Sequence, residues 1–287
     1  AEDCVKHDVA VILGPGVNLK RTPLCGRNFE YFSEDGVLAG KLAAAYIEGV
    51  QSKGVGTSLK HFAANNREYD RFFQSSEMDE RTLRETYCRA FEIALNAKPW
   101  TVMCSYNPVN GVYASENKHL LNDILRKEFG FDGVVVSDWG AVKHRAKSLK
   151  AGIDLAMPYS ADYEKQLADW YEKGLIDEDD LDRSVGRLRE LSEKYRSAFS
   201  LRKVTMTEEQ KHELAVRAAE EIAVLLKNDD DILPVCRDKR IAVIGGFAEN
   251  PEFQGGGSSR VNAKVSKSLC DCLKNLGFNV DFALGYM

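Results

Sequence analysis

Asp138 is the residue of this chain whose type and position most directly suggest chemistry. It follows three valines in the run GFDGVVVSDWG and is itself followed by Trp139 and a glycine. A carboxylate at the end of a buried strand can be a nucleophile, a ligand or the N-cap of a following helix, and this run alone leaves the three open. Trp139 can stack on the apolar face of a sugar ring or can pack in the core.

Lys60 and His61 stand at the end of another apolar segment, GTSLKHFA. Adjacent residues of a strand point to opposite sides, so both side chains reach one pocket only where the strand ends and bends. Two nitrogen donors at such a point suit the recognition of hydroxyl groups. A pair of this kind is also common on solvated surfaces, and the pair by itself leaves both interpretations open.

Two arginines and a tyrosine add further polar groups. Arg27 lies in CGRNFEYFSEDG, Arg71 in REYDRFF and Tyr106 in MCSYNPVNG. An arginine can hold vicinal hydroxyls or a carboxylate with two parallel hydrogen bonds. Arg27 can equally form a structural ion pair with Glu30, and Arg71 can pair with a neighbouring acid of its own run. Tyr106 can bring a hydroxyl into a pocket.

The elements that must position these residues alternate between strand and helix. Helical spacing and capping residues predict helices over Asp35 to Val50, Asp79 to Ala97 and Asn117 to Phe129. This alternation is typical of a parallel α/β fold. Continuous apolar runs predict strands in DVAVILGPGV (8–17), GTSLKHFA (56–63), TVMCSYNPV (101–109), GVVVSDWG (133–140) and GIDLAMP (152–158).

Polar runs follow nearly every predicted strand. That distribution favours a (β/α)8 TIM-type barrel, because an open sheet concentrates its functional groups at one switch point. Five strands are visible where a barrel has eight, and we expect the others to precede Ala1. The prediction for residues 1–199 is therefore an α/β catalytic domain, a partial (β/α)8 barrel whose N-terminal strands are missing from this sequence.

The character of the chain changes after Pro158, where charged helical segments replace the apolar runs. Residues 200–207 are predicted to be a linker, and residues 208–287 the start of a second α/β domain. In that domain we expect a helix over Glu208–Lys227, a strand at 240–248, a glycine-rich loop at 253–262, a further helix and a last strand at 279–287.

The composition argues against several classes of partner. A hydrophobic fraction of 44% supports a sizeable core, and a net charge of -5 with well-mixed signs argues against nucleic acid. The apolar runs are too short to span a membrane. No histidine falls at metal-ligand spacing, so we expect neither a metal nor a cofactor. Seven cysteines without a C-x-x-C pair indicate a reducing, cytoplasmic location.

Taken together, these runs resemble glycoside hydrolase family 3. The matching segments are GPGVNLKRTPLCGRNFEYFSEDG, SLKHFAANNRE, MDERTLRETY, VMCSYNPVNG, GFDGVVVSDWGAV and AGIDLAMP, followed by EEIAVLLKND and FQGGGSSRVN. They occur in the order that the family has. The resemblance implies a barrel followed by an α/β sandwich domain, with a sugar bound between the two.

The resemblance also implies a role for each site residue. The family's nucleophile matches Asp138, and Ser258 or Ser259 of the second domain would reach over the sugar. The family's other substrate-binding positions match Arg27, Lys60, His61, Arg71, Tyr106 and Trp139, with Met103 as a further pocket-lining position. A family aspartate that binds the sugar and the glutamate that serves as general acid/base are expected to lie outside residues 1–287.

The function that the resemblance implies is a retaining, exo-acting glycoside hydrolase. It would release terminal β-D-glucose from a β-linked glucoside or short oligosaccharide through a covalent glycosyl-enzyme on Asp138. The aromatic Trp139 after the nucleophile is more similar to the glucosidases than to the xylosidases. The alternatives are a β-xylosidase or arabinosidase of the same family, or a catalytically incomplete sugar-binding fragment. A homo-oligomer or a second chain that completes the fold is the expected protein partner.

Overall fold

The computed structural model describes residues 1–263 and 266–285. The chain divides into two compact units, with the boundary between Glu208 and Glu209. The first unit holds a parallel sheet and its covering helices, and the second begins another α/β arrangement. No helix in the described ranges combines the length and the apolar composition needed to cross a membrane.

The sheet of the first unit is parallel, with four strands in the described residues in the order β1-β2-β3-β6. A short antiparallel hairpin, β4 and β5, lies between β3 and β6 in the chain. The strands are β1 (Val11–Ile12), β2 (Gly56–Phe62), β3 (Thr101–Cys104), β4 (Pro108–Val109), β5 (Val112–Tyr113) and β6 (Val134–Ser137). The predicted parallel α/β fold is confirmed.

The register of the sheet separates the core from the side that carries the polar groups. Leu59, Val102 and Val135 are aligned across the central strands and belong to the main hydrophobic core. Successive strand residues point to opposite faces, so the neighbouring row of Lys60, Met103 and Val136 faces the other side. Asp138 follows Val136 by two positions at the carboxyl end of β6.

Helices cover the core face, and side chains fix where several of them begin. Asp35 accepts hydrogen bonds from two backbone N–H groups of the helix it precedes, and Asp79 accepts one. The helices of the first unit are α1 (Glu2–Lys6), α2 (Gly36–Gln51), α3 (Glu80–Thr82), α4 (Arg89–Leu95), α5 (Arg145–Ala151), α6 (Ala161–Glu172) and α7 (Glu178–Ala198), with π-helical segments at Leu83–Tyr87 and His119–Glu128 and 3-10 turns at Asn28–Glu30, Ala114–Glu116 and Phe199–Leu201.

The segment 152–158 does not form the predicted fifth strand, although it reaches the edge of β6. Its pairing consists of one bridge between Val136 and Leu155. The buried Arg145 guanidinium donates hydrogen bonds to the carbonyls of Ile153 and Asp154, and the Asp154 carboxylate accepts one from the N–H of Val135. These side chains therefore use backbone N–H and C=O groups that would otherwise be available for pairing in a longer strand. The predicted strand 8–17 is interrupted after Ile12, where the Gly14 N–H bonds the Ile12 carbonyl, and pairing with β2 resumes at the Gly16–Lys60 bridge.

The second unit contains α8 (Glu208–Ile222), β7 (Arg240–Ile244), α9 (Leu269–Asn275) and β8 (Asn279–Ala283), with 3-10 turns at Asp229–Asp231, Gly246–Ala248 and Gly257–Ser259. β7 and β8 pair in parallel. The helix predicted to reach Lys227 ends at Ile222 in the structure. The last two residues of the predicted strand 279–287 lie outside the described residues.

Candidate active site

Asp138 is held by a hydrogen bond at one carboxylate oxygen and is without a hydrogen bond at the other. Its Oδ1 accepts a hydrogen bond from the N–H of Trp139 at 2.8 Å. Within the part of the chain that the structure describes, its buried Oδ2 accepts none. The side chain is only 9% exposed. An oxygen with a free lone pair on a fixed carboxylate is the arrangement that a nucleophile requires.

The N-cap interpretation of Asp138 does not fit the structure. The next helix, α5, starts at Arg145, and His144 is its N-cap residue. Between Asp138 and that helix the chain makes a turn, in which Ala141 N–H donates to the Asp138 carbonyl. The Asp138 side chain thus serves no helix terminus.

His61 lies beside Asp138 as a neutral imidazole. The Nη2 of Arg27 is 2.7 Å from His61 Nε2, and because a guanidinium only donates, Nε2 is the acceptor and carries no proton. Complete burial and the charges of Arg27, Lys60 and Arg71 lower the pKa of His61 well below its usual value. The 3.5 Å approach of Nε2 to Asp138 Oδ2 is therefore not an ion pair.

Three residues that the sequence did not single out hold His61 in place. The Asn18 amide bonds both the N–H and the carbonyl of His61, at 2.8 and 2.9 Å, and the Tyr31 hydroxyl lies 3.2 Å from Nδ1. A side chain at Gly16 would collide with the Tyr31 ring, since a Cβ there would lie 2.8 Å from it. Asn18 does lie in the polar run GPGVNLKR, which was the available signal.

An irregular register turns Lys60 and His61 toward the same region. Lys60 pairs with Met103 and Phe62 pairs with Cys104, so β2 has one more residue than β3 across this step. Such an extra residue changes the direction of the side chains around it. This is the bend that two adjacent side chains need in order to reach one pocket.

Arg27 and Lys60 are joined by Glu30. One Glu30 oxygen lies 2.5 Å from Arg27 Nε and the other 2.9 Å from Lys60 Nζ. Burial favours the neutral acid, but the hydrogen bonds and charges of the two cations outweigh it and lower the pKa of Glu30. Arg27 also places Nη1 3.9 Å from Asp138 Oδ2, so the expected Arg27–Glu30 ion pair and an approach to Asp138 occur together.

Arg71 contacts the site through Tyr106. Its guanidinium lies 4.4 Å from the centre of the Tyr106 ring and pairs with Glu68 at 2.5 Å. The Tyr106 ring also packs against Phe72, with ring centres 4.6 Å apart. Arg71 therefore makes the structural ion pair and also stacks on a residue beside Asp138.

Opposing effects set the acidity of Asp138. Burial raises its pKa, while the Tyr106 hydroxyl, the Trp139 N–H and the charges of Arg27 and Lys60 oppose the rise. The net direction is upward. Desolvation therefore outweighs the neighbouring cations in setting the pKa of this carboxylate.

The remaining predicted site residues differ in their surroundings. Trp139 is 41% exposed, which fits a stacking platform better than a core position. Met103 is 2% exposed and lies between Lys60 and Val136 in the sheet register. Ser258 is exposed in a 3-10 turn of the second unit. Asp138, His61, Arg27, Lys60 and Tyr106 are thus brought together, with Arg71 and Trp139 at their margin.

A carboxylate among cations at the carboxyl edge of a parallel sheet is where barrel proteins carry their active sites. The family model "Glycosyl hydrolase family 3 N terminal domain" matches residues 1–191. The model "Glycosyl hydrolase family 3 C-terminal domain" matches residues 223–279. The chain belongs to glycosyl hydrolase family 3, and the predicted class, a (β/α)8-type barrel followed by an α/β sandwich, is confirmed.

Curated relatives carry two kinds of name. The chain is 49% identical to an exo-alpha-(1->6)-L-arabinopyranosidase of Bifidobacterium longum, over 100% of the chain and 39% of that protein. It is 45% identical to the thermostable beta-glucosidase B of Acetivibrio thermocellus, over 99% of the chain and 38% of that protein. The chain thus spans well under half the length of these relatives.

Solved structures agree on the fold. The crystal structure of a family 3 beta-glucosidase from Bifidobacterium adolescentis has a TM-score of 0.92 and 49% identity, over 100% of the chain and 42% of that protein. Beta-glucosidase 3B of Thermotoga neapolitana in complex with alpha-D-glucose has a TM-score of 0.89 and 38% identity, over 98% of the chain and 40% of that protein.

Proposed function

We propose that the protein containing this chain is a retaining, exo-acting glycoside hydrolase that releases terminal β-D-glucose from β-glucosides. Asp138 is its nucleophile. The observation that carries the proposal is the Asp138 carboxylate, which is hydrogen-bonded at Oδ1 and has no hydrogen-bond partner at its buried Oδ2 among the described residues, with cations beside it. The names of the relatives and the glucose in the Thermotoga complex support the substrate class.

In the proposed reaction, Asp138 Oδ2 attacks the anomeric carbon and forms a covalent glycosyl-enzyme. A second carboxyl group, about 5–5.5 Å away in a retaining enzyme, protonates the leaving oxygen and later takes a proton from water. Water then releases the sugar and regenerates the Asp138 carboxylate. Arg27 and Lys60, whose charges favour the ionised form, would stabilise the carboxylate each time it leaves the sugar.

The remaining side chains of the site suit a sugar ring. Arg71 and Lys60 supply donors for hydroxyl groups, and these bonds can strengthen as the ring flattens in the transition state. His61 is neutral and adds no further positive charge beside these donors. Trp139 presents an exposed aromatic face, and Met103 an apolar wall.

A cavity of about 660 Å³ is lined by Arg71 and adjoins the candidate site, although Asp138 is not part of its lining. It lies between the loops that follow β1 and β2. Asn65, which lines it and is 1% exposed, leaves both side-chain amide atoms without a hydrogen-bond partner among the described residues.

An α-L-arabinopyranosidase is the second candidate, favoured by the 49% identity to the Bifidobacterium longum enzyme. An arabinopyranose ring lacks the hydroxymethyl group of glucose. Rates on 4-nitrophenyl β-D-glucopyranoside and 4-nitrophenyl α-L-arabinopyranoside distinguish the two. We expect the larger kcat/KM on the glucoside, and a larger value on the arabinoside would select the second candidate.

The Asp138→Asn variant tests the role of the nucleophile in the intact protein that contains this chain. We expect kcat on the glucoside to fall on the order of a thousandfold or more, while glucose still binds. The matched control is Asp132→Asn, which makes the same change at an exposed position of the same run. Turnover that survives in Asp138→Asn would exclude this mechanism.

We also propose the domain limits 1–199, 200–207 and 208–287, as barrel, linker and second domain. The boundary between the two compact units lies between Glu208 and Glu209. It falls one residue inside the proposed second domain and supports that division. Seven cysteines without a disulfide support a cytoplasmic location.

A further inference from the structure

Glu30 connects two cations that come from different parts of the fold. Arg27 precedes the 3-10 turn Asn28–Glu30, and Lys60 lies in strand β2. One Glu30 oxygen lies 2.5 Å from Arg27 Nε, and the other lies 2.9 Å from Lys60 Nζ. The three side chains are only 14–19% exposed, so the contacts are shielded from water. One carboxylate therefore fixes two cations relative to each other.

The contact with Glu30 determines the direction in which Arg27 points. A guanidinium is planar and rigid, so a partner at Nε fixes the orientation of both terminal nitrogens. One of these nitrogens lies 3.9 Å from Asp138 Oδ2 and the other 2.7 Å from His61 Nε2. If Arg27 turned, it would lose both of these contacts.

The same carboxylate restricts the position of the Lys60 ammonium group. An ammonium group on a four-carbon stem has many rotamers, and a hydrogen bond to a shielded carboxylate restricts them. The bond to Glu30 uses one of the three N–H groups of Lys60 and leaves the other two as donors. Without that bond, Lys60 is free to move toward Asp138, on which its charge already acts.

We propose that Glu30 is a positioning residue for the reaction, which holds Arg27 and Lys60 in the arrangement that Asp138 and the sugar require. The inference rests on the proposed function. Glu30 acts through its two partners and need not touch the substrate. Its negative charge also offsets one of the two positive charges, so that the cations do not trap the nucleophile in an ion pair.

Stability alone is a weak explanation for this group of charges. A shielded ion pair seldom stabilises a fold more than apolar residues of the same volume, because desolvation opposes the attraction. A purely structural Glu30 would, when changed, reduce the amount of folded protein and leave the kcat/KM of the folded fraction as it is. A positioning Glu30 predicts a lower kcat/KM in folded protein, accompanied by a change in the acidity of Asp138.

The direction of that change follows from the charges around the two carboxylates. Glu30 faces Arg27 and Lys60, and Asp138 faces these same cations together with Tyr106 and neutral His61. Removing the Glu30 charge increases the positive potential at Asp138, which favours its ionised form and lowers its pKa. The acidic limb of kcat/KM, which reports the free enzyme, then moves to lower pH.

The test compares Glu30→Gln, Glu30→Asp and Glu34→Gln in the intact protein, with 4-nitrophenyl β-D-glucopyranoside as substrate. For Glu30→Gln we expect kcat/KM at neutral pH to fall about 10- to 100-fold, the size of a lost charged hydrogen bond, and the acidic limb to move to lower pH. Glu30→Asp keeps the charge but is too short to reach both cations. It should lose part of the activity and keep the limb in place. Glu34→Gln makes the same change at an exposed position and should match the wild type.

Several results would overturn the inference. The first is a kcat/KM of Glu30→Gln equal to that of the wild type. The second is a lowered kcat/KM in Glu30→Gln whose acidic limb stays at the wild-type pH. If Glu30→Gln does not fold, Glu30→Asp decides, because wild-type kcat/KM in that variant contradicts the need to span two cations. Asp138→Asn in the same assay separates this inference from the proposed function. If Asp138→Asn keeps turnover, the proposed function fails, and if only the Glu30 variants behave as wild type, the positioning role fails.

Discussion

Replacing Tyr106 with phenylalanine removes a hydroxyl that stabilises the ionised form of Asp138. Burial raises the pKa of the Tyr106 hydroxyl, with the Asp138 charge adding to the effect, so the hydroxyl stays protonated and can donate. The nearby Tyr106 hydroxyl lowers the pKa of Asp138. In Tyr106→Phe the pKa of Asp138 should therefore rise, and the enzyme should lose its ionised nucleophile at a higher pH.

The size of the shift follows from the energy of such a bond. A hydrogen bond to a charged group contributes about 1.5–3 kcal/mol, and one pKa unit corresponds to about 1.4 kcal/mol. The acidic limb of kcat/KM should therefore move up by about one to two pH units. The ring keeps its packing against Phe72 and Arg71, so the fold should be preserved.

The assay is the pH dependence of kcat/KM on 4-nitrophenyl β-D-glucopyranoside in the intact protein. Tyr69→Phe is the matched control, because Tyr69 is 76% exposed and its hydroxyl should not affect the limb. A limb that stays in place in Tyr106→Phe, or that moves to lower pH, would refute the electrostatic account of Asp138. Tyr106→Phe and Glu30→Gln should shift the limb in opposite directions.

Two further predictions concern stability. Asp154→Ala should reduce the free energy of unfolding by about 3–5 kcal/mol in urea denaturation, because the 2% exposed carboxylate pairs with Arg126 at 2.8 Å and Arg187 at 3.0 Å. A loss no larger than that of exposed Asp182→Ala would contradict this. Buried His61 has a lowered pKa, so folding releases its proton, and stability should fall as pH drops below about 6.5. In His61→Gln this loss of stability, which amounts to at most about 1.4 kcal/mol per pH unit, should be absent. A pH dependence equal to that of the wild type would contradict a neutral His61.

The sequence predicted the order of the strands and helices because their signals are local. Strands buried on both faces produce continuous apolar runs, as in β3 and β6. Asp35 and Asp79 were recognisable as helix starts because their side chains bond N–H groups two or three residues ahead. The existence of these elements was therefore predicted better than their limits, since the predicted strand 8–17 is reduced to Val11–Ile12.

Features that depend on distant residues could not be found in this way. The pairing of 152–158 is limited to one bridge by the side chains of Arg145 and Asp154, which compete for backbone groups. The contact between Glu30 and Lys60 joins residues far apart in the chain. The neutral state of His61 depends on complete burial and on cations from three segments. Each of these required the folded geometry.

The central claim is that Asp138 forms a covalent bond to the sugar. A 2-deoxy-2-fluoro glucoside with a good leaving group should form a glycosyl-enzyme that breaks down slowly, since the fluorine destabilises the transition state. Peptide mass mapping of the inactivated protein should then find the added sugar on the peptide that contains GFDGVVVSDWG, at Asp138, and should find no label in Asp138→Asn. A sugar attached to another residue, or full inactivation without a covalent adduct, would contradict the account.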